Sequence, residues 1–145
     1  MVKAKRILIP TDFSEHSQFA LQHAVNLAER SRAKVYVMHV HQPSQKYSVP
    51  ELRAEVEQNE REKLRVITDK VRSKGIDAEA VYAVGKPHSS IVSTAKKLDV
   101  DLITLATRGL RGLTYLVFGS TAEKVVRLAH CPVLTVKRPE PESVN

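Results

Sequence analysis

Ala106-Thr-Arg-Gly-Leu-Arg-Gly-Leu-Thr-Tyr-Leu-Val-Phe-Gly119-Ser120-Thr121 joins two segments of different periodicity. Before it, Leu102-Ile-Thr-Leu-Ala106 is a short apolar run, the pattern of a buried strand. After it, Thr121-Ala-Glu-Lys-Val-Val-Arg-Leu-Ala129 has helical spacing. Glycines between a strand and a helix let backbone approach a ligand closely, because no Cβ stands in the way. The start of the helix adds unpaired N–H groups and a positive dipole end. Together these features suit a phosphate.

Working outward, the same alternation repeats along the chain. Arg6-Ile-Leu-Ile-Pro10 reads as a first buried strand, followed by helical spacing of Leu21, Ala24, Val25 and Ala28 between Ser14 and Arg30. Ala33–Val40 is β-branched and apolar, a second strand. A loop with Pro43 and Pro50 precedes a charged helix from about Glu51 to Lys74, with Leu64, Ile67 and Val71 inward and Gly75 as its stop. Ala78–Val84 is a third strand, and Gly85-Lys-Pro87 turns into a helix with Ile91, Val92, Ala95 and Leu98 inward. Asp101–Ala106 is the fourth strand and Pro132–Lys137 the fifth. Strands alternating with helices predict an α/β fold, a single-domain open parallel five-stranded sheet with helices on both faces. The domain is expected over 1–138, with 139–145 a disordered tail.

In such sheets ligands bind beyond the carboxyl ends of the strands, where the winding reverses. Two loops qualify: Pro10-Thr11-Asp12-Phe13-Ser14 after the first strand and the glycine loop after the fourth. They form one site only if the first and fourth strands are neighbours.

Composition excludes several classes. The 145 residues suffice for one core, and no apolar run approaches the roughly 18–20 residues of a membrane span. The start of the chain does not have the pattern of a secretory signal, and the single Cys131 allows no intrachain disulfide, so a cytoplasmic protein is expected. Cys131, beside an apolar strand, reads as an inert buried thiol. The net charge is +7, but its 23 Lys and Arg are dispersed. The three Phe and four Tyr form no stacking platform, which argues against nucleic acid.

Taken in order, these motifs resemble the universal stress protein family. The resemblance rests on Pro10-Thr11-Asp12-Phe13-Ser14, the Gly85-Lys86-Pro87 turn and the final strand Cys131-Pro-Val-Leu-Thr-Val136, and runs from Lys5 to Lys137. The nucleotide-binding branch also carries Gly-x2-Gly-x9-Gly-Ser/Thr, which here aligns as Ala106-x2-Gly109-x9-Gly119-Ser120. Alanine therefore replaces the first glycine. If that position takes positive φ the alanine is strained by roughly 1–2 kcal/mol; if it only needs close approach, the methyl group is tolerated.

The resemblance implies a Rossmann-like sheet, of the adenine-nucleotide-hydrolase type, in the order 3-2-1-4-5. It implies ATP or a related adenine nucleotide across the two loops, in a stress-response regulatory protein acting as a ligand-dependent switch or interaction module. By position, Asp12, beside Pro10 and Thr11, meets the ribose or adenine side, and the Val40 backbone meets the adenine. Ala106 borders the ribose, Arg108 and Gly109 the phosphates, and Gly119, Ser120 and Thr121 the phosphate oxygens. Homodimerisation through Pro132–Lys137 is implied as well, and a bare apolar edge strand favours pairing. The protein partner it would regulate is not named by the sequence.

Each assignment has a structural alternative. Asp12-x-x-Glu15 fits a capping box, Ser120 and Thr121 fit plain N-caps, and Arg108 fits a solvent-facing side chain. The position of Asp12 opposite the glycine loop favours ligand contact, as Gly119 before Ser120 favours anion binding. His39-Val-His41 reads as structural rather than metal-binding, since spacing places no further ligand. The Gly-x4-Gly-Lys-Ser/Thr phosphate loop is absent, and the glycine loop holds no Glu, Gln or His to orient a water. Mg2+ would be held through phosphates, assisted by Ser120 or Thr121. The reading is a binder. The alternatives are a weak metal-dependent ATPase or phosphotransferase using Asp12, and a dimeric interaction module that binds no nucleotide.

Overall fold

Among the described residues nine elements alternate along the chain: β1 (Arg6–Pro10), α1 (Glu15–Ser31), β2 (Lys34–His41), α2 (Pro50–Arg72), β3 (Ala78–Val84), α3 (Pro87–Lys97), β4 (Leu102–Ala106), α4 (Ser120–Leu128) and β5 (Val133–Val136). The structure is a computed structural model that describes residues 4–44, 49–108 and 118–139. All four strand pairings are parallel, and the sheet order is β3-β2-β1-β4-β5. This is the order the resemblance implied.

Strand alternation sends successive side chains to opposite faces, and each face has its own helices. Ile7, Ile9, Val35 and Val37 pack with Ala24, Val25 and Ala28 of α1 and Leu64 and Val71 of α2. Leu8, Met38, Ile103 and Leu105 pack with Ile91 and Ala95 of α3 and Ala122 and Val125 of α4. Two covered faces explain why Ile7–Ile9 of β1, Val35–Met38 of β2 and Leu102–Ile103 of β4 are consecutive apolar residues rather than alternating.

The element bounds follow local chemistry. Gly75, at φ +81, donates its N–H to the Arg72 carbonyl just past α2. Gly85, at φ +150, hands β3 to α3, where Pro87 stands in the first turn. Asp101 accepts three N–H bonds from Lys5 and Arg6, at 2.9–3.2 Å, which ties the start of β1 to the approach of β4. Arg138 pairs with Glu15 at 2.5 Å, so the chain beyond β5 is anchored to the start of α1. Most of the expected tail, 140–145, lies outside the described residues. Among the described residues no helix is long and apolar enough to cross a membrane.

Candidate functional site

The register Ile7↔Leu102 and Leu8↔Ile103 makes β1 and β4 neighbours. Parallel pairing sends the chain out of both strands at one edge of the sheet. The requirement for one shared site is therefore met: the segment after Pro10 and the one after Ala106 leave side by side.

The first of these segments is a closed hydrogen-bonded knot. Thr11 donates its N–H to the Met38 carbonyl at 2.8 Å, and its hydroxyl accepts from the Phe13 N–H at 3.1 Å. Asp12 Oδ1 accepts from the Ser14 N–H at 3.0 Å, an aspartate turn. Phe13 then takes φ +67, a left-handed conformation rare for an aromatic residue. Ser14 caps α1, its Oγ accepting from the Ser17 N–H at 3.1 Å. The alternative of an Asp12–Glu15 capping box is thus excluded. Asp12 stands two residues too early and turns the chain, while Glu15 reaches Arg138 instead.

The start of α4 lies at the same edge. Gly119 is the N-cap of α4, extended at φ −73 and ψ 163, and its N–H donates to the Thr107 carbonyl at 2.6 Å. Glycine has no side chain with which to cap, so Ser120 and Thr121 are the first two residues of the helix and not its caps. Ala106 ends β4 opposite Val136 and is not among the positive-φ residues. Its methyl group therefore carries no backbone strain. Arg108 is buried, 7% exposed, which overturns the solvent-facing alternative. Val40 is half-buried in β2 and packs with the α3–α4 side of the core. Gly109 and the apolar residues Leu113, Leu116 and Val117 lie outside the described residues.

Beside the Thr11–Ser14 segment sits a polar cluster. His39 and His41, both nearly buried, point from β2 toward α2. Glu60 Oε2 lies 2.9 Å from His39 Nε2, and Oε1 lies 2.7 Å from His41 Nδ1 and 2.8 Å from the Tyr82 hydroxyl. His39 Nδ1 lies 2.8 Å from the Thr11 carbonyl. Among the described residues no group of three His, Cys, Asp or Glu is arranged for a metal ion. Glu60 escapes a reading of the chain because it stands 21 residues from His39 in a helix full of charge.

Burial pushes the Glu60 carboxyl up, but hydrogen bonds from His39, Tyr82 and His41 and the charge on His39 outweigh it and hold the group below its ordinary 4.5. A carboxyl depressed in the fold stabilises it above the unfolded value and loses that contribution as pH falls through the folded value. Glu60→Gln is expected to flatten the fall in stability below about pH 4.5. Urea midpoints measured from pH 3 upward in both proteins check this; parallel acid limbs would refute it. Burial also raises the Cys131 thiol, ahead of the nearby Asp101 charge, in keeping with an unreactive side chain.

The universal stress protein family model matches residues 3–137. This chain belongs to that family. Universal stress protein MJ0531 of Methanocaldococcus jannaschii is 38% identical over 144 residues, covering 95% of this chain and 85% of the relative. The solved structure of MJ0577, a universal stress protein of the same archaeon, superposes with a TM-score of 0.82 at 30% identity, covering 97% of this chain and all of that one. The fold is shared further by a universal stress protein in complex with cAMP, at TM-score 0.73 and 24% identity over 92% of this chain and 97% of that one. An Arabidopsis thaliana family protein with AMP bound gives 0.68 and 22% over 96% and 97%.

Proposed function

We propose that this universal stress protein binds an adenine nucleotide, ATP foremost, at the carboxyl edge of β1 and β4 and acts as a ligand-dependent switch or interaction module. The observation that carries this reading is the β1–β4 pairing, which brings the Asp12 turn to the same sheet edge as the glycine-started N-terminus of α4. Free N–H groups at a helix start suit phosphate, and the Asp12 loop is held in one conformation by its own hydrogen bonds. Pro10, Thr11 and Asp12 would face the nucleoside, with the Val40 backbone at the base and Ala106 at the ribose. Arg108, Gly109, Gly119, Ser120 and Thr121 would face the phosphates. Mg2+ would enter with the nucleotide, held by phosphate oxygens with Ser120 or Thr121. That cAMP and AMP sit in two proteins of this fold is consistent with the class of ligand.

The same reading has a homodimer formed through β5, which lies at the sheet edge with Leu134 41% exposed. A protein partner would then read the nucleotide state, provided the two states differ in nucleotide affinity.

The test is to denature the purified, undialysed protein and identify released nucleotide by chromatography and mass spectrometry, then titrate the emptied protein with ATP and Mg2+. A near-stoichiometric adenine nucleotide, or saturable ATP binding, is expected. No binding at millimolar ATP would overturn the proposal and leave a dimeric interaction module.

A further inference from the structure

The two histidines of β2 face different kinds of partner. Among side-chain ring nitrogens here, His41 Nδ1 meets only the Glu60 carboxylate, which a neutral ring with one N–H satisfies. His39 meets acceptors on both sides: the Thr11 carbonyl at Nδ1 and Glu60 Oε2 at Nε2. A carbonyl oxygen cannot donate, and Glu60, held below its ordinary 4.5, is a carboxylate that cannot donate either, so both bonds exist together near neutral pH only when the ring carries two protons. As a carboxylate Glu60 accepts from His39, His41 and Tyr82 together. The cluster therefore places its extra proton on His39.

This ring also holds the loop. Thr11 and Phe13 flank Asp12; the first accepts from His39 and the second stacks on it, with centroids 4.3 Å apart and planes 28° from parallel. We infer that His39 is a positioning residue for the Asp12 loop, and that its protonation couples pH to nucleotide affinity. The inference rests on the nucleotide site proposed above.

The sign follows from the acceptors. Loss of one proton leaves a ring nitrogen lone pair against either the Thr11 carbonyl or Glu60, and the repelled group withdraws. Either change loosens the strap across Asp12, so affinity falls as pH rises through the titration of His39. The other charged and titratable groups around the ring, among the described residues, come from several elements. Glu60 comes from α2, His41 from β2 and Tyr82 from β3, while Asp12 lies in the loop itself. Arg61 lies over the Tyr82 ring at 4.0 Å and Lys63 over Phe13 at 5.6 Å, and Glu57 acts on Tyr82. Tyr82 keeps its proton across this range, because burial and then the Glu60 hydrogen bond raise its pKa.

ATP affinity measured by calorimetry from pH 5.5 to 8.5, with the His39 ring followed by NMR, tests the coupling. In the wild type, affinity is expected to drop by about fivefold or more across the His39 midpoint. By reciprocity, saturating ATP then raises that midpoint by about 0.7 pH unit. His39→Gln keeps a donor without titrating and leaves only the pH dependence of ATP itself. Glu60→Gln is a second, independent variant: its amide turns to donate to a neutral ring, so the midpoint no longer moves with ATP. Identical pH profiles for wild type and both variants, or a wild-type midpoint unmoved by ATP, would overturn the coupling while leaving nucleotide binding standing. Absence of ATP binding at every pH would instead remove the nucleotide site, and the coupling with it.

Discussion

Gly119→Asp is expected to weaken ATP binding by about 100-fold or more while leaving the protein as stable as before, or a few tenths of a kcal/mol more so. Gly119 sits at the N-cap with φ −73 and ψ 163, a conformation open to any residue. An aspartate there accepts the N–H of the second or third helical residue, Thr121 or Ala122, and improves the cap. That same bond consumes a donor meant for phosphate and sets a carboxylate against the triphosphate. Two unit charges 4 Å apart repel by about 4 kcal/mol in a partly exposed setting, before salt screening. The 100-fold loss needs only about 2.8 kcal/mol. Thermal melts and ATP titrations on the same samples separate the two effects. Wild-type affinity in this variant would remove α4 from the site; a large loss of stability would mean that its N-terminus is capped by something else.

Ile103→Ala is expected to cost about 3 kcal/mol, the middle of the range for removing a buried aliphatic side chain. Ile103 is fully buried on the α3–α4 side of the sheet and pairs with Leu8 on one side and Val133 on the other. Strands on both flanks leave little room for the site to collapse. For a chain of 145 residues this corresponds to a fall in Tm of roughly 6–12 °C. Urea denaturation followed by circular dichroism measures it. A loss under about 1 kcal/mol would contradict the packing of β4 described above. ATP binding at low temperature is expected to survive, since Ile103 lies three residues before the end of β4.

Elements whose signal is local were legible in the chain. β3 runs over Ala78–Val84 as expected, and α2 ends before Gly75, because backbone conformation and burial periodicity are properties of short segments. The two loops were legible as a candidate site because their residue types are rare together between strand and helix. Capping was less legible. Asp12, Ser14, Ser120 and Thr121 are all residue types that can cap, and which one does so depends on where the first turn begins. The consequence of Ala106 was open as well, since it hinges on one dihedral angle. β4 resolves it by holding that residue in extended conformation.

By itself the sequence determined that strands and helices alternate, that the sheet is parallel and covered on both faces, and that two strand-to-helix loops are the candidate site. Hydrophobic periodicity and turn residues act over a few positions, so they are readable without knowing where the chain goes next. Only the tertiary structure decided that Glu60 of α2 reaches across to His39 of β2 and, through it, to the Thr11 carbonyl. A contact spanning 21 residues depends on how a helix lies against a sheet, and a half-buried carboxylate among two histidines and a tyrosine becomes distinctive only once they are in contact.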